Sequence, residues 1–178
     1  YQQIPAPSEG NLFKRHWWRF WKNPGEQLPT VVVKTPDGEI HSCEVVDLPQ
    51  EFDYTVSAWD MAFKGSSGSD RVSGQVWARL NQRKFLLDQV LGTMDFMKTV
   101  SSVVYLHEKY DVSASLVEDT ANGPAVISAL RDKISPLIPV KPQGSKTSRV
   151  VDASKAMSVV AQAEAGLLYL PHPSKAEW

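Results

Sequence analysis

The stretch Tyr54-Thr-Val-Ser-Ala-Trp-Asp60-Met-Ala-Phe63 places one carboxylate among apolar and small residues. This composition predicts a β-strand that is buried on both faces of a sheet. An acid inside such a strand is costly to desolvate unless a cation or a hydrogen-bond donor meets it. Asp60 therefore caps a turn, pairs with a buried arginine, or binds a metal ion, and the rest of the chain has to decide among these alternatives.

The composition is that of a soluble globular domain, with 42% hydrophobic and 22% charged residues in a chain of 178. The formal net charge is -1, so any binding of nucleic acid must come from a local patch. Cys43 is the only cysteine, which excludes an internal disulfide. We see neither a signal peptide nor an apolar run of roughly 20 residues, and the chain starts without methionine. We therefore expect a cytosolic piece of a larger protein with no membrane contact.

The first 50 residues predict a linker segment followed by a β-hairpin. The run Lys14-Arg-His-Trp-Trp-Arg-Phe-Trp-Lys22 combines aromatic rings with cations. It is either a nucleic-acid surface or an amphipathic segment whose rings anchor the linker, and buried aromatics favour the second interpretation. Two β-rich runs flank Pro36-Asp37-Gly38, which predicts the hairpin.

Periodicity and turn signals after the opening strand predict an alternation of strands and helices. The predicted elements are strands at 71–79 and 84–91, a helix at 94–110, a strand at 114–119, a helix from about 122 to 134, a strand at 137–140, a helix at 150–164 and a short strand at 167–170. The first three strands form an antiparallel meander, and the helical crossovers imply parallel strands after it.

This element order is the ribonuclease H-like arrangement, an α/β fold with a mixed sheet and helices on both faces. In it the first and fourth strands lie side by side and parallel, so Asp60 and Asp119 become neighbours. Paired carboxylates suit hard divalent cations such as Mg²⁺ and Mn²⁺. One or two such ions activate a water and stabilise the leaving oxygen of a phosphodiester. Acids near strand ends also cap helices and turns, so from these residues alone both roles stay open.

Three ordered motifs resemble one known family. They are Val117-Glu-Asp-Thr-Ala-Asn-Gly-Pro124, Gly144-Ser-Lys-Thr-Ser-Arg149 and Ala163-Glu-Ala-Gly-Leu-Leu-Tyr-Leu-Pro171. Together they are similar to the C-terminal nuclease domain of phage terminase large subunits, the motors that package viral DNA. Ser57-Ala-Trp-Asp60-Met-Ala resembles the first acidic motif of that family, and the first 13 residues resemble the segment that joins its ATPase to its nuclease.

The resemblance implies a role for each candidate residue. Asp60 and Asp119 would be the catalytic, metal-binding carboxylates, and Asp70 either an auxiliary ligand or a solvated loop acid. Glu118 alternates in direction with Asp119, so we expect it to point away from the metal. Three cations would contact DNA phosphates, the alternative being ordinary surface charge: Lys141, Lys146 and Arg149.

The implied function is a Mg²⁺- or Mn²⁺-dependent endonuclease that cleaves concatemeric double-stranded DNA with little sequence specificity. The implied partners are an ATPase domain, a small terminase subunit and the portal of the procapsid, in the host cell cytoplasm. We predict a linker and hairpin over residues 1–50 and the nuclease domain over 51–178, without the family's third, C-terminal acidic motif. Two alternatives remain: a non-catalytic DNA-binding or assembly module, and a nuclease that resolves Holliday junctions.

Overall fold

The computed structural model of the chain describes residues 12–61, 71–119, 123–144, 148 and 158–175. The elements are, in chain order, a short 3-10 helix (Arg15–Trp17), β1 (Arg19–Lys22), β2 (Val32–Lys34), β3 (Ile40–Ser42), β4 (Val45–Asp47), β5 (Tyr54–Met61), β6 (Arg71–Leu80), β7 (Arg83–Thr93), α1 (Phe96–Lys109), β8 (Ala114–Glu118), α2 (Gly123–Leu130), β9 (Leu137–Val140), α3 (Val159–Glu164) and β10 (Leu168–Pro171). These bounds follow the predicted order of strands and helices.

The chain divides into two compact units, one of Tyr1–Leu48 with Gly144–Glu177 and one of Pro49–Gln143. This division differs from the predicted boundary, which assigned everything after residue 50 to one domain. The second unit contains the strand that carries Asp60 and is described first.

The sheet of the second unit has the strand order β7-β6-β5-β8-β9. β5, β6 and β7 pair antiparallel, as predicted for the meander, and β8 lies parallel to both β5 and β9. Trp59 lies opposite Gly74 of β6 and opposite Val117 of β8. The first and fourth strands of this unit are therefore adjacent and parallel, as the predicted topology requires.

The core of this unit lies on one face of the sheet. Four side chains of β5 are buried on that face: Thr55, Ser57, Trp59 and Met61. Helices α1 and α2 both cover it, through two sets of apolar side chains: Val100, Val103 and Leu106 of α1, and Val126, Ile127 and Leu130 of α2. α1 begins at Asp95, whose carboxylate accepts a hydrogen bond from the Lys98 backbone N–H.

The prediction that β5 is buried on both faces is wrong. On the other face Ala58 is exposed, and Val56 and Asp60 are only partly buried. Both described helices of this unit pack on the same side, so alternate residues of β5 keep access to solvent. Asp60 therefore needs no buried arginine to offset its desolvation.

The first unit contains three parallel strands in the order β4-β1-β10. Phe20 and Trp21 of β1 are buried, which agrees with the anchoring interpretation of the aromatic segment. The predicted hairpin is confirmed, since β2 and β3 pair antiparallel and Gly38 has a φ of +91° in the turn between them. Gly166, with a φ of +68°, follows the end of α3 as predicted.

Candidate metal centre

Asp60 lies near the end of β5, on the face opposite α1 and α2. Its neighbour Trp59 fixes this orientation, because the Trp59 ring is 3% exposed and belongs to the core. Successive side chains of a strand point to opposite faces, so the Asp60 carboxylate points away from the core. Its Cα partner on β6 is Ser73.

The register between β5 and β8 brings a second acid level with Asp60. Trp59 pairs with Val117, and one residue further along each strand lie Asp60 and Glu118. Paired residues of parallel strands share a face, and their backbones lie about 4.8 Å apart. Two carboxylates therefore sit side by side on the solvent-accessible face of the sheet.

Asp119 follows Glu118 and continues the ladder toward β9. Its backbone N–H donates to the Val140 carbonyl at 2.8 Å, so the alternation of side chains extends to it and places it on the face of Val117. Its carboxylate Oδ2 lies 3.9 Å from Lys141 Nζ. The expectation that Glu118 points away from Asp60 is therefore wrong, because the register gives that position to Asp119.

The turn between β8 and α2 is packed too tightly for a side chain at Gly123. An ideal Cβ on Gly123 would lie 2.0 Å from the Glu118 carbonyl oxygen. This close approach holds the first turn of α2 against the end of the acidic strand. The positive end of the helix dipole then lies beside Glu118 and Asp119, where it favours their ionised forms.

Two adjacent carboxylates fit a hard divalent cation. Mg²⁺ keeps several waters and commonly takes one or two carboxylates together with substrate phosphate oxygens. Within the described ranges, no group of three or more His, Cys, Asp or Glu residues is arranged to hold a metal ion. The site built from described residues is thus a pair of acids, with Asp119 at the adjoining position.

The other predicted site residues have different standings. Lys141 follows β9, and its side chain is 82% exposed. Asp70, Lys146 and Arg149 lie outside the described residues. None of the helices in the described part of the chain has the length and hydrophobicity needed to span a bilayer.

Sequence reasoning missed Glu118 as a companion of Asp60, although the sequence carries a signal for it. In both strands a large apolar residue comes directly before the acid, Trp59 before Asp60 and Val117 before Glu118. Matching core residues of two parallel strands pair across the sheet, so the acids that follow them must pair as well.

Comparison with known proteins agrees with this architecture. The family described as the terminase ribonuclease H-like domain matches residues 57–178. A search of curated proteins found no match. Among solved structures, the large terminase nuclease of thermophilic phage G20c with bound magnesium is 13% identical with a TM-score of 0.50, covering 89% of this chain and 71% of that one. The same nuclease with bound cobalt is 14% identical with a TM-score of 0.51, covering 87% and 70%.

A longer relative has the same fold over one part of its chain. The large terminase of a second thermophilic bacteriophage, in complex with ATP-γ-S, is 10% identical with a TM-score of 0.50 over 70% of this chain. This chain spans 30% of the length of that protein. The predicted ribonuclease H-like mixed α/β fold is confirmed by these likenesses and by the strand order. Because the family match extends over most of its length, the chain belongs to the family of terminase ribonuclease H-like domains.

Proposed function

We propose that this domain is a divalent-metal-dependent endonuclease of a viral DNA-packaging terminase. It hydrolyses phosphodiester bonds of concatemeric double-stranded DNA with little sequence specificity. The observation that carries the proposal is the parallel register of β5 and β8, which sets Asp60 level with Glu118 on an accessible face. Asp60 and Asp119 remain the proposed catalytic acids, and the register adds Glu118 to them.

The residues divide the work of holding a cation. Asp60 and Glu118 offer carboxylate oxygens from adjacent strands, and Asp119 offers another beside the N-terminus of α2. Asp70 is proposed as an auxiliary ligand, by its place in the sequence. One or two Mg²⁺ or Mn²⁺ ions, when bound, supply activation of a water and neutralisation of charge on the leaving oxygen. The G20c nuclease structures with bound magnesium and cobalt support a divalent-cation site in this fold.

DNA binding is proposed for a local cationic surface, since the net charge of the chain is -1. Lys141 lies beside Asp119 with its side chain exposed, so its ammonium reaches a phosphate close to the acids. Lys146 and Arg149 follow in the same basic stretch of sequence. Phosphate contacts position the duplex without reading its bases, which accounts for weak sequence preference.

The remaining proposals concern the protein to which this domain belongs. The longer terminase, of which this chain spans 30%, was solved with ATP-γ-S. We propose an ATPase domain in the same protein, a small terminase subunit and a portal as partners, and the host cytoplasm as the location. Residues 51–178 are proposed as the nuclease domain and residues 1–50 as the joining segment.

Nicking of supercoiled plasmid tests the proposed activity. The chain is incubated with plasmid and Mn²⁺ or Mg²⁺, beside D60N, E118Q and D119N, with EDTA as the metal-free arm. We expect D60N and E118Q to slow nicking by about 100-fold or more, because each removes a charged ligand of the cation. D132N is the matched control, since Asp132 is an exposed acid in the turn after α2.

The variants also separate the two acids at the end of β8. Loss of nicking in D119N with retention in E118Q would show that Asp119 alone completes the site and that the register misplaces Glu118. Absence of nicking by the parent chain, with plasmid still retarded on a gel, would replace the nuclease with a DNA-binding module.

A further inference from the structure

A chain of buried hydrogen bonds runs from α1 through β8 to β5 beneath the acid pair. Trp59 Nε1 donates to Ser57 Oγ at 3.1 Å, and Ser57 Oγ donates to Ser115 Oγ at 2.9 Å. Ser115 Oγ lies 3.1 Å from His107 Nδ1, in the last turn of α1. Both serines are 0% exposed, so each hydroxyl depends on these partners alone.

The donors along this chain all point in one direction. The indole N–H only donates, so the Ser57 oxygen accepts it and the Ser57 hydrogen goes to Ser115. The Ser115 hydrogen then has His107 Nδ1 as its acceptor, which places the His107 proton on Nε2. Each hydroxyl is used as donor and as acceptor, and a shift of either strand would leave one of them unsatisfied.

The two serines occupy the same level of the sheet. Ser57 and Ser115 are Cα partners, two residues before Trp59 and Val117 in the same ladder. A slip of one residue would oppose a buried hydroxyl to an apolar side chain, and an unpaired buried polar group is strongly disfavoured. The Ser57–Ser115 pair therefore specifies the register that brings Asp60 level with Glu118.

The Trp59 ring is held from a second side. An ideal Cβ on Gly74 would lie 2.3 Å from Cζ3 of Trp59, so the indole lies directly against the Gly74 backbone. With its N–H bound to Ser57 and its ring against β6, Trp59 has one orientation. The pleat of β5 at Trp59 then sets the direction of the Asp60 carboxylate.

We propose that Ser57, Ser115 and His107 are positioning residues that lock β5 against β8 and so hold Asp60 and Glu118 side by side. None of the three carries metal or DNA in the proposed function. The inference rests on that function for its importance to activity, but the register lock itself is a separate claim about the sheet.

Disulfide formation measures the register without metal or DNA. The full chain carries D60C and E118C in a C43A background, which removes the only native thiol. Paired residues of parallel strands lie about 4.8 Å apart, within the Cα separations that a disulfide accepts. We expect D60C and E118C to cross-link under mild oxidation, and D60C and D119C to cross-link much more slowly because their side chains point to opposite faces.

The variant S57A then tests the lock. It should slow cross-linking of D60C and E118C by about tenfold, and in the otherwise native chain weaken Mn²⁺ binding by about tenfold, as loss of a supporting hydrogen bond does at metal sites. It should also move the indole resonance of Trp59 in NMR spectra, assigned with W59F. T99V is the matched control, because Thr99 is another fully buried hydroxyl, bound to the Asp95 carbonyl and outside this chain.

The outcomes are distinct. Slower cross-linking in S57A and S115A, with T99V unchanged at a similar loss of stability, supports the positioning role. Equal cross-linking rates in S57A, S115A, T99V and the parent overturn it, whatever the plasmid assay shows. Fast cross-linking that depends on Ser57 in a chain that binds no Mn²⁺ would retain the lock and remove the proposed nuclease.

Discussion

At the scale of single residues, Gly123 decides whether the acidic strand and α2 can meet. A methyl group there would lie 2.0 Å from the Glu118 carbonyl oxygen, and a backbone atom cannot move without opening the turn. We expect G123A to lower the free energy of unfolding by about 2–3 kcal/mol, the upper part of the range for overpacking. Urea unfolding measures this change, and Mn²⁺ titration should show a parallel loss of affinity.

Gly92 provides the control for Gly123. Its ideal Cβ would contact only Met94 Cε, at 3.9 Å. G92A should change the free energy of unfolding by less than about 1 kcal/mol. If G123A unfolds at the same urea concentration as G92A, the close contact between α2 and β8 is not present in solution.

The residue scale is also where sequence reasoning reached its limit. Asp60 could be found because it interrupts an apolar run, and Asp119 because it ends one. The choice between Glu118 and Asp119 depends on a shift of one residue between strands that are 58 positions apart at the paired serines. Local periodicity does not contain that shift, because side-chain packing across the sheet determines it.

At the scale of elements, Asp88 ties β7 to the end of α1. Its carboxylate Oδ2 lies 2.8 Å from Lys109 Nζ and accepts a hydrogen bond from the Tyr110 hydroxyl at 2.8 Å. Burial raises the pKa of Asp88, but the hydrogen bonds from Lys109, Tyr110 and the Gln89 backbone outweigh it, so the net pKa is below the ordinary value. The ionised form is thus favoured by the fold.

A depressed pKa fixes the sign of the pH effect. The tie contributes stability above the unfolded pKa of about 3.9, and the contribution is lost as pH falls through the lower pKa of the folded chain. D88N should lower the free energy of unfolding at pH 7 by about 1 kcal/mol, because Lys109 is partly exposed and screened. Its acid limb should also be flatter than that of the parent in urea unfolding between acidic and neutral pH. An acid limb in D88N as steep as in the exposed-acid control D132N would contradict the tie.

The elements themselves were largely predictable. Alternation and helical spacing predict the meander, α1 and β8, because these patterns record which residues meet water within one element. The burial of β5 was not predictable, since it depends on which face α1 and α2 cover. β9 shows the same limit, for Pro139 fits it only because β9 is the edge strand of its unit.

At the scale of the whole molecule, charge rather than shape determines how DNA is approached. Formal net charge is -1, so the chain as a whole offers the duplex no attraction, and binding must depend on a few cations near the acids. Lys141 is suited to this role because its interaction with Asp119, at 3.9 Å and with its side chain 82% exposed, is too weak to hold it.

This argument predicts the salt dependence of DNA binding. In fluorescence anisotropy titrations with labelled duplex over a range of salt concentrations, K141Q should reduce the slope of log K against log salt by about 0.9, the value for one lost phosphate contact on B-form DNA. K98Q is the matched control, because Lys98 is an exposed lysine in the first turn of α1. Equal slopes for K141Q, K98Q and the parent would exclude Lys141 from the DNA-binding surface. A reduced slope in K141Q alone would place the duplex over the end of β9, beside the acids, because a lysine so exposed has no other route to the salt dependence.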